Sequence, residues 1–148
     1  MEITFLGHSG FCIETTHANI VIDPWLSTHG AFDSSWFQYP RNQHLSSFVI
    51  DKLNDTKKDN FVYVSHEHKD HFDEKFLKSL NPTFTYVVPK FRRPFLRDHL
   101  ANFPCKDVIS FGHADELKFK DGTIKIYLDD NEMNRDSAIL VKNNGESF

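Results

Sequence analysis

Ser65-His66-Glu67-His68-Lys69-Asp70-His71 is the stretch whose reading decides the fold, and it directly follows Phe61-Val62-Tyr63-Val64. The leading run alternates aromatic and β-branched residues, as a buried strand does. Residues 66–71 then bring together three imidazoles and the Asp70 carboxylate, with Glu67 between the first two histidines. A rigid strand end that delivers ligands into a turn is a good way to fix a metal, because the surrounding packing orients the ligands. Neutral imidazole and carboxylate suit zinc and iron, whereas an all-oxygen set would suggest calcium or magnesium. His66 and His68 are two residues apart, so an extended backbone would project them from one face to grip one ion. Asp70 and His71 come after the chain has turned and could hold a second ion. The competing reading is a polar loop that happens to be rich in histidine. It does not account for residue type, order and preceding strand together.

A chain of 148 residues allows one domain with a core and no more, so residues 1–148 are read as a single domain. Hydrophobic residues make up 39%, with 15 phenylalanines, which makes burial feasible and argues against disorder. A net charge of −4 argues against a general nucleic-acid surface. The compact basic patch is Lys90-Phe91-Arg92-Arg93-Pro94, read either as a solvated loop before a helix or as a site for an anionic substrate. Cys12 and Cys105 sit in apolar surroundings and are expected to be buried free thiols rather than a disulfide framework. With no charged start leading into an apolar run, and no apolar stretch approaching about 18 residues, the expectation is no membrane contact and a reducing, cytoplasmic setting.

Along the chain, Ile3–Leu6, Phe11–Glu14 and Asn19–Ile22 read as strands, the last two a hairpin, and Asp23-Pro24 ends the third. Residues 27–46 are irregular and aromatic. A loop of this length either lines a pocket or anchors a long connection to the core. A short helix is expected over Ser47–Leu53. Asp73 has the character of a helix N-cap, with Phe76, Leu77 and Leu80 on the apolar side. Thr83–Val88 reads as a strand, and Pro94 can open a helix carrying Phe95, Leu96 and Leu100. The pattern after Pro104 is β again: Val108–Phe111, Glu116–Phe119, Thr123–Leu128 and Ser137–Val141. The sum is α/β with a mixed sheet.

His66-Glu67-His68-Lys69-Asp70-His71 after a strand resembles the HxHxDH motif of the metallo-β-lactamase superfamily. Gly7-His8-Ser9-Gly10 resembles the early Gly-His turn of its hydrolases. Ile20-Val21-Ile22-Asp23-Pro24 resembles the strand whose terminal aspartate braces the metal loops. A closer likeness is to the metallo-β-lactamase-like domain of CMP-N-acetylneuraminate hydroxylases. It is carried by Asp23-Pro24-Trp25-Leu26 with Ala31-Phe32 and Trp36, by Tyr63–His71, and by Asp136–Val141. Those hydroxylases also carry a Rieske iron–sulfur domain with a Cys/His ligand set.

The resemblance implies the N-terminal portion of a four-layer αββα fold. A further histidine, a bridging aspartate and a last histidine would follow later. Asn131, Glu132 or Asn134 stand where the intermediate ligand would fall, and His113 reads as a surface residue. The later ligands are expected beyond Phe148, and a domain of this extent should expose a sheet edge and self-associate or need its remainder.

By resemblance, His66 and His68 belong to a first metal site and Asp70 and His71 to a second. The cofactor is one or two Zn²⁺, with iron as the alternative. The chemistry is hydrolysis of an ester, lactone, amide or phosphodiester in a small-molecule substrate by a metal-bound hydroxide. Asp70 serves as general base in a one-ion variant. His8 could lie near the metal or be merely exposed. The alternatives are an iron-dependent oxidoreductase related to the hydroxylases, and a non-catalytic metal-binding or interaction domain.

Overall fold

A computed structural model of the chain describes residues 1–131 and 135–148. Strands β1 (Glu2–Gly7), β2 (Gly10–Glu14), β3 (Ala18–Ile22), β4 (Asp59–Tyr63), β5 (Thr85–Pro89) and β6 (Asp107–Phe111) form a six-stranded sheet in chain order. β1 to β3 are antiparallel and β3 to β6 parallel, so the sheet is mixed as expected. Strands β7 (Glu116–Phe119), β8 (Gly122–Asp130), β9 (Arg135–Asn143) and β10 (Glu146–Ser147) form a second sheet, antiparallel, in the order β10-β9-β8-β7. Helices α1 (Ser46–Leu53), α2 (Glu74–Lys78) and α3 (Phe95–Leu100) follow the parallel crossovers.

Period-two alternation sorts the central strands into two cores. Cys12, Val21, Val62, Val64, Tyr86 and Val88 face the helices and meet Val49, Leu53, Leu77 and Leu100. Their neighbours Ile13, Ile20, Ile22, Phe61, Tyr63 and Val87 face the second sheet and meet Ile124, Ile126 and Val141. Burial on both faces is why β3 and β4 read as unbroken apolar runs. Helices, mixed sheet and antiparallel sheet are three successive layers, and β1 leaves a sheet edge with Ile3 and Phe5 exposed.

The carboxyl ends of β3 and β4 lie side by side, since Ile22 pairs with Tyr63 in parallel register. Each strand hands on directly to polar residues: Asp23 after β3, Ser65 and His66 after β4. Open α/β sheets present ligand sites at this edge. Asp73 ties the region together. Its Oδ1 accepts from Phe76 N at 3.2 Å, capping α2, and its Oδ2 accepts from Leu26 N at 3.0 Å and Ser27 N at 2.6 Å.

Three sequence expectations change. The backbone bends at His66–Glu67 and turns at Lys69–His71, so His66 and His68 are not on an extended segment. The thiol of Cys105 is half-buried rather than buried, because it sits in the turn between α3 and β6, whereas Cys12 is enclosed between sheet and helices. In the loop over residues 27–46, Trp36, Phe37 and Tyr39 are exposed and anchor nothing in the core. Glu132 and Asn134, candidates for an intermediate ligand, lie outside the described residues. His113 is exposed on its turn.

Candidate metal centre

Asp23 is the post around which the site is built. It is 4% exposed and adopts φ +41°, a left-handed backbone that costs a non-glycine residue about 1 kcal/mol. Its Oδ1 accepts Ser65 N–H at 2.8 Å; its Oδ2 accepts the Ser65 hydroxyl at 2.7 Å and faces His71 Nδ1 at 2.8 Å. One carboxylate from β3 thus orients both ends of the loop that follows β4. Burial opposes protonation of His71, but the hydrogen bond and charge of Asp23, with Asp70 and Asp136 adding, outweigh it and raise its pKa. Because Nδ1 is engaged by Asp23, His71 presents Nε2 to the centre, 3.8 Å from Asp70 Oδ2.

His66 is 6% exposed. Its Nδ1 lies 2.9 Å from Ser65 Oγ and 3.3 Å from Asp136 Oδ1. A proton held there leaves a lone pair on Nε2, the arrangement a metal-ligating imidazole needs. Burial lowers the His66 pKa, the neighbouring His71 lowers it further, and Asp136 only partly offsets this. Nε2 of His66 converges on Nδ1 of His68 at 3.0 Å. The bend between them, rather than strand alternation, brings the two rings to one point.

Asp70 is 7% exposed, and its Oδ1 is buried with no hydrogen-bond partner among the described residues. A buried carboxylate oxygen without a donor is costly, and a cation would satisfy it. Its Oδ2 lies 2.9 Å from His8 Nε2. All four loop residues singled out in the sequence, His66, His68, Asp70 and His71, therefore meet in one cluster, with the rings of His66 and His71 4.3 Å apart. Imidazole nitrogens facing one another beside an unsatisfied carboxylate oxygen form a donor set that fits zinc or iron.

Sequence reasoning underweighted two residues. From the sequence His8 reads equally as lying near the metal or as exposed; it is exposed, and the turn between β1 and β2 also carries it to Asp70. Its only sequence signal was the Gly-His pair. Asp136 was noted only as part of a strand, but β9 sets it against His66. Two further contacts hold β9 there: Ser137 Oγ donates to Ser65 O at 2.7 Å, and Tyr63 OH donates to Ser137 Oγ at 2.7 Å. Beside them, Arg135 pairs with Glu67.

Two cavities flank the cluster. One, of about 370 Å³, is lined by His8, Trp25, Trp36, Phe37, Gln38 and Tyr39, so the aromatic loop walls a pocket. Another, of about 420 Å³, is lined by Arg92, Arg93, Asp130, Asn131 and Arg135. A further cavity, of about 610 Å³ between Phe32 and α2, reaches the site loop through Lys69 and is lined by none of the cluster's imidazoles.

Residues 2–143 match the model of the beta-lactamase superfamily domain. The chain belongs to the beta-lactamase superfamily. Among curated relatives of this superfamily member, a Mycobacterium tuberculosis protein with the provisional name Rieske 2Fe-2S iron-sulfur protein is 37% identical over 101 residues, covering 68% of this chain and 18% of its own. The cytidine monophosphate-N-acetylneuraminic acid hydroxylase of Xenopus laevis is 26% identical across 100% of this chain and 25% of its own. The chain thus spans about a fifth to a quarter of the length of these two relatives. Among solved structures, a possible metal-dependent hydrolase from Veillonella parvula superposes with TM-score 0.64 at 14% identity, over 96% of this chain and 58% of that one. CmlA, a diiron β-hydroxylase from Streptomyces venezuelae, superposes with TM-score 0.67 at 16% identity, over 98% and 28%. These likenesses establish the metallo-β-lactamase fold. The superfamily is one of metal-dependent enzymes, and its members similar to this chain include both hydrolases and hydroxylases. Among the described residues, no helix is long and apolar enough to cross a membrane.

Proposed function

We propose that this chain is a metal-dependent hydrolase, with His66, His68, Asp70 and His71 as metal ligands. The observation that carries the reading is the convergence of His66 Nε2 and His68 Nδ1 at 3.0 Å beside the buried, unpartnered Oδ1 of Asp70. A bound zinc or iron ion supplies Lewis acidity and lowers the pKa of a water to about 7. The chain's own residues do the rest. Asp23 and Ser65 hold the imidazoles in register. Asp70 Oδ1 is placed to accept a proton from an attacking water when a single ion is held. The aromatic pocket beside His8 offers a wall against which a substrate can pack.

The substrate in this reading is a small anionic ester, lactone or phosphodiester. Arg92, Arg93 and Arg135 converge on one cavity, and Arg135 Nη1 is buried with no acceptor among the described residues, a donor that a carboxylate or phosphate oxygen would satisfy. The exposed apolar edge at Ile3 and Phe5 supports self-association.

The test is metal analysis of the purified chain together with turnover on a panel of phosphodiesters and lactones. Stoichiometric metal and turnover that His68→Ala abolishes would support the hydrolase. Absence of metal uptake would leave only a non-catalytic interaction domain. A second reading, iron-dependent oxidation, is favoured by the 37% identity to a Rieske-named protein and by the hydroxylase relatives. Iron uptake with no hydrolysis, and oxidation dependent on a separate Rieske reductant, would select it.

A further inference from the structure

The second ion of this reading has two ligands from the loop itself, Asp70 and His71. We infer that His8 is the third, so that the β1–β2 turn and the loop after β4 together hold a divalent ion on two imidazoles and a carboxylate. The inference rests on the metal-enzyme reading and adds to it a ligand from the first turn of the chain.

Three atoms define the set. His8 Nε2 lies 2.9 Å from Asp70 Oδ2, His71 Nε2 lies 3.8 Å from the same oxygen, and all three are within 4.8 Å of one another. Two atoms bound to one ion can be at most twice the bond length apart, about 4.2 Å. Small side-chain rotations satisfy that limit. The free valence is already present, because Asp70 Oδ1 is buried and has no donor.

The turn is built to keep the imidazole in place. His8 adopts φ +50° after Gly7 at φ +103°. Glycine would take the left-handed conformation without strain, so what position 8 adds to the turn is the ring itself. A Cβ at residue 7 would meet Gln38 Oε1 at 2.2 Å, so the long aromatic loop packs directly on the turn. From that loop Asn42 Nδ2, buried, donates to Leu6 O at 2.6 Å and Trp25 O at 2.9 Å, and Gln38 Nε2 donates to Trp25 O at 2.7 Å. Trp25 stands edge-on to the His8 ring at 5.6 Å and backs it. Two histidines and one carboxylate are the donor set that non-haem iron(II) takes with positions left open. The cavity of about 370 Å³ opens against His8 itself, so a ligand entering it reaches that side of the ion.

Cobalt(II) titration of the full chain tests the assignment. Uptake is followed by visible absorption and elemental analysis, and hyperfine-shifted imidazole N–H resonances are counted by proton NMR. Wild type is compared with His8→Gln, His8→Asn and His68→Ala; asparagine tolerates the left-handed backbone, so His8→Asn guards against misfolding. The expected result is two equivalents in wild type. His8→Gln and His8→Asn should weaken one equivalent by tenfold or more and delete one shifted resonance, while His68→Ala affects the other equivalent. If wild type binds one ion, weakening and resonance loss in the His8 variants still support the assignment. Folded His8 variants that keep every shifted resonance overturn it, and weaker binding alone would then mean that His8 only hydrogen-bonds Asp70. A wild-type chain that takes up no metal overturns the metal-enzyme reading and this inference with it.

Discussion

Strands β3 and β4 run side by side, and their two ends are built from opposite materials. At the amino end sit Asn19 and Asn60, both buried. Asn19 Nδ2 donates to Lys52 O at 2.8 Å and to Asn60 Oδ1 at 3.0 Å. Asn60 Nδ2 donates to Leu53 O at 3.0 Å and Asp55 O at 2.9 Å. Lys58 Nζ reaches the remaining oxygen, Asn19 Oδ1, at 3.4 Å. Every amide function is used, no net charge is buried in the pair, and the last carbonyls of α1 find their donors. At the carboxyl end the groups are ionisable, Asp23 and His8 hold left-handed backbones, and Asp70 Oδ1 has no partner. The first end behaves as a finished joint. The second holds unsatisfied donors and acceptors and backbone strain, as ligand sites do.

That contrast can be broken most sharply at Asp70. Asp70→Ala should cut turnover by about 100-fold or more, the usual scale for a positioned proton acceptor, and should abolish one metal equivalent while raising or preserving the melting temperature of the metal-free protein. A variant that retains wild-type turnover would erase the functional end of the comparison. Next comes Asp23→Ala, which strands the Ser65 N–H and one partner of His71 in a buried site. A loss of about 3 kcal/mol in denaturant unfolding is expected, together with roughly 10- to 100-fold weaker metal binding.

Asn60→Ala is the control from the other end. It should cost about 2 kcal/mol by removing one buried donor from each of the Leu53 and Asp55 carbonyls and one acceptor from Asn19, yet metal stoichiometry should not change. Altered metal uptake would mean that the two ends are coupled through the strands.

The smallest effect is electrostatic and lies where the site loop meets α2. Glu74 pairs with Lys69, then Lys78 and His99, and its pKa is lowered to about 2. A depressed carboxyl pKa contributes stability above the unfolded value of about 4.5, and the contribution fades as pH falls through about 2. Glu74→Gln should therefore lower stability modestly at neutral pH and flatten its acid limb, the two proteins converging as pH falls towards about 2. His71 has the opposite sign. Its raised pKa stabilises the metal-free protein below about 6.5, and that increment is lost as pH rises through the folded value.

Much of this was open to inspection in the residues. Phe61–Val64 followed by His66, His68, Asp70 and His71 specified a strand and a candidate ligand loop, because residue type, order and strand pattern are local properties. Asp73 announced its cap for the same reason. His8 and Asp136 were harder. One lies 62 residues before Asp70 and the other 70 residues after His66, and nothing in the intervening pattern states that a turn and a strand end converge there. The arginine cavity combines Arg92 and Arg93 with Arg135 from another sheet, again a meeting that no local pattern records.

By itself, then, the sequence determined the alternation of strands and helices and four candidate donors within residues 66–71, since those follow from period, spacing and side-chain chemistry, while the superfamily was legible through the resemblance of that motif. Only the tertiary structure decided how the donors are divided. The parallel pairing of β3 with β4 sets Asp23 against Ser65 and His71, the bend at His66–Glu67 turns two rings toward one point, and the β1–β2 turn delivers His8 to Asp70. Which nitrogen of a histidine is free depends on what engages the other one, and that partner is supplied by a different strand.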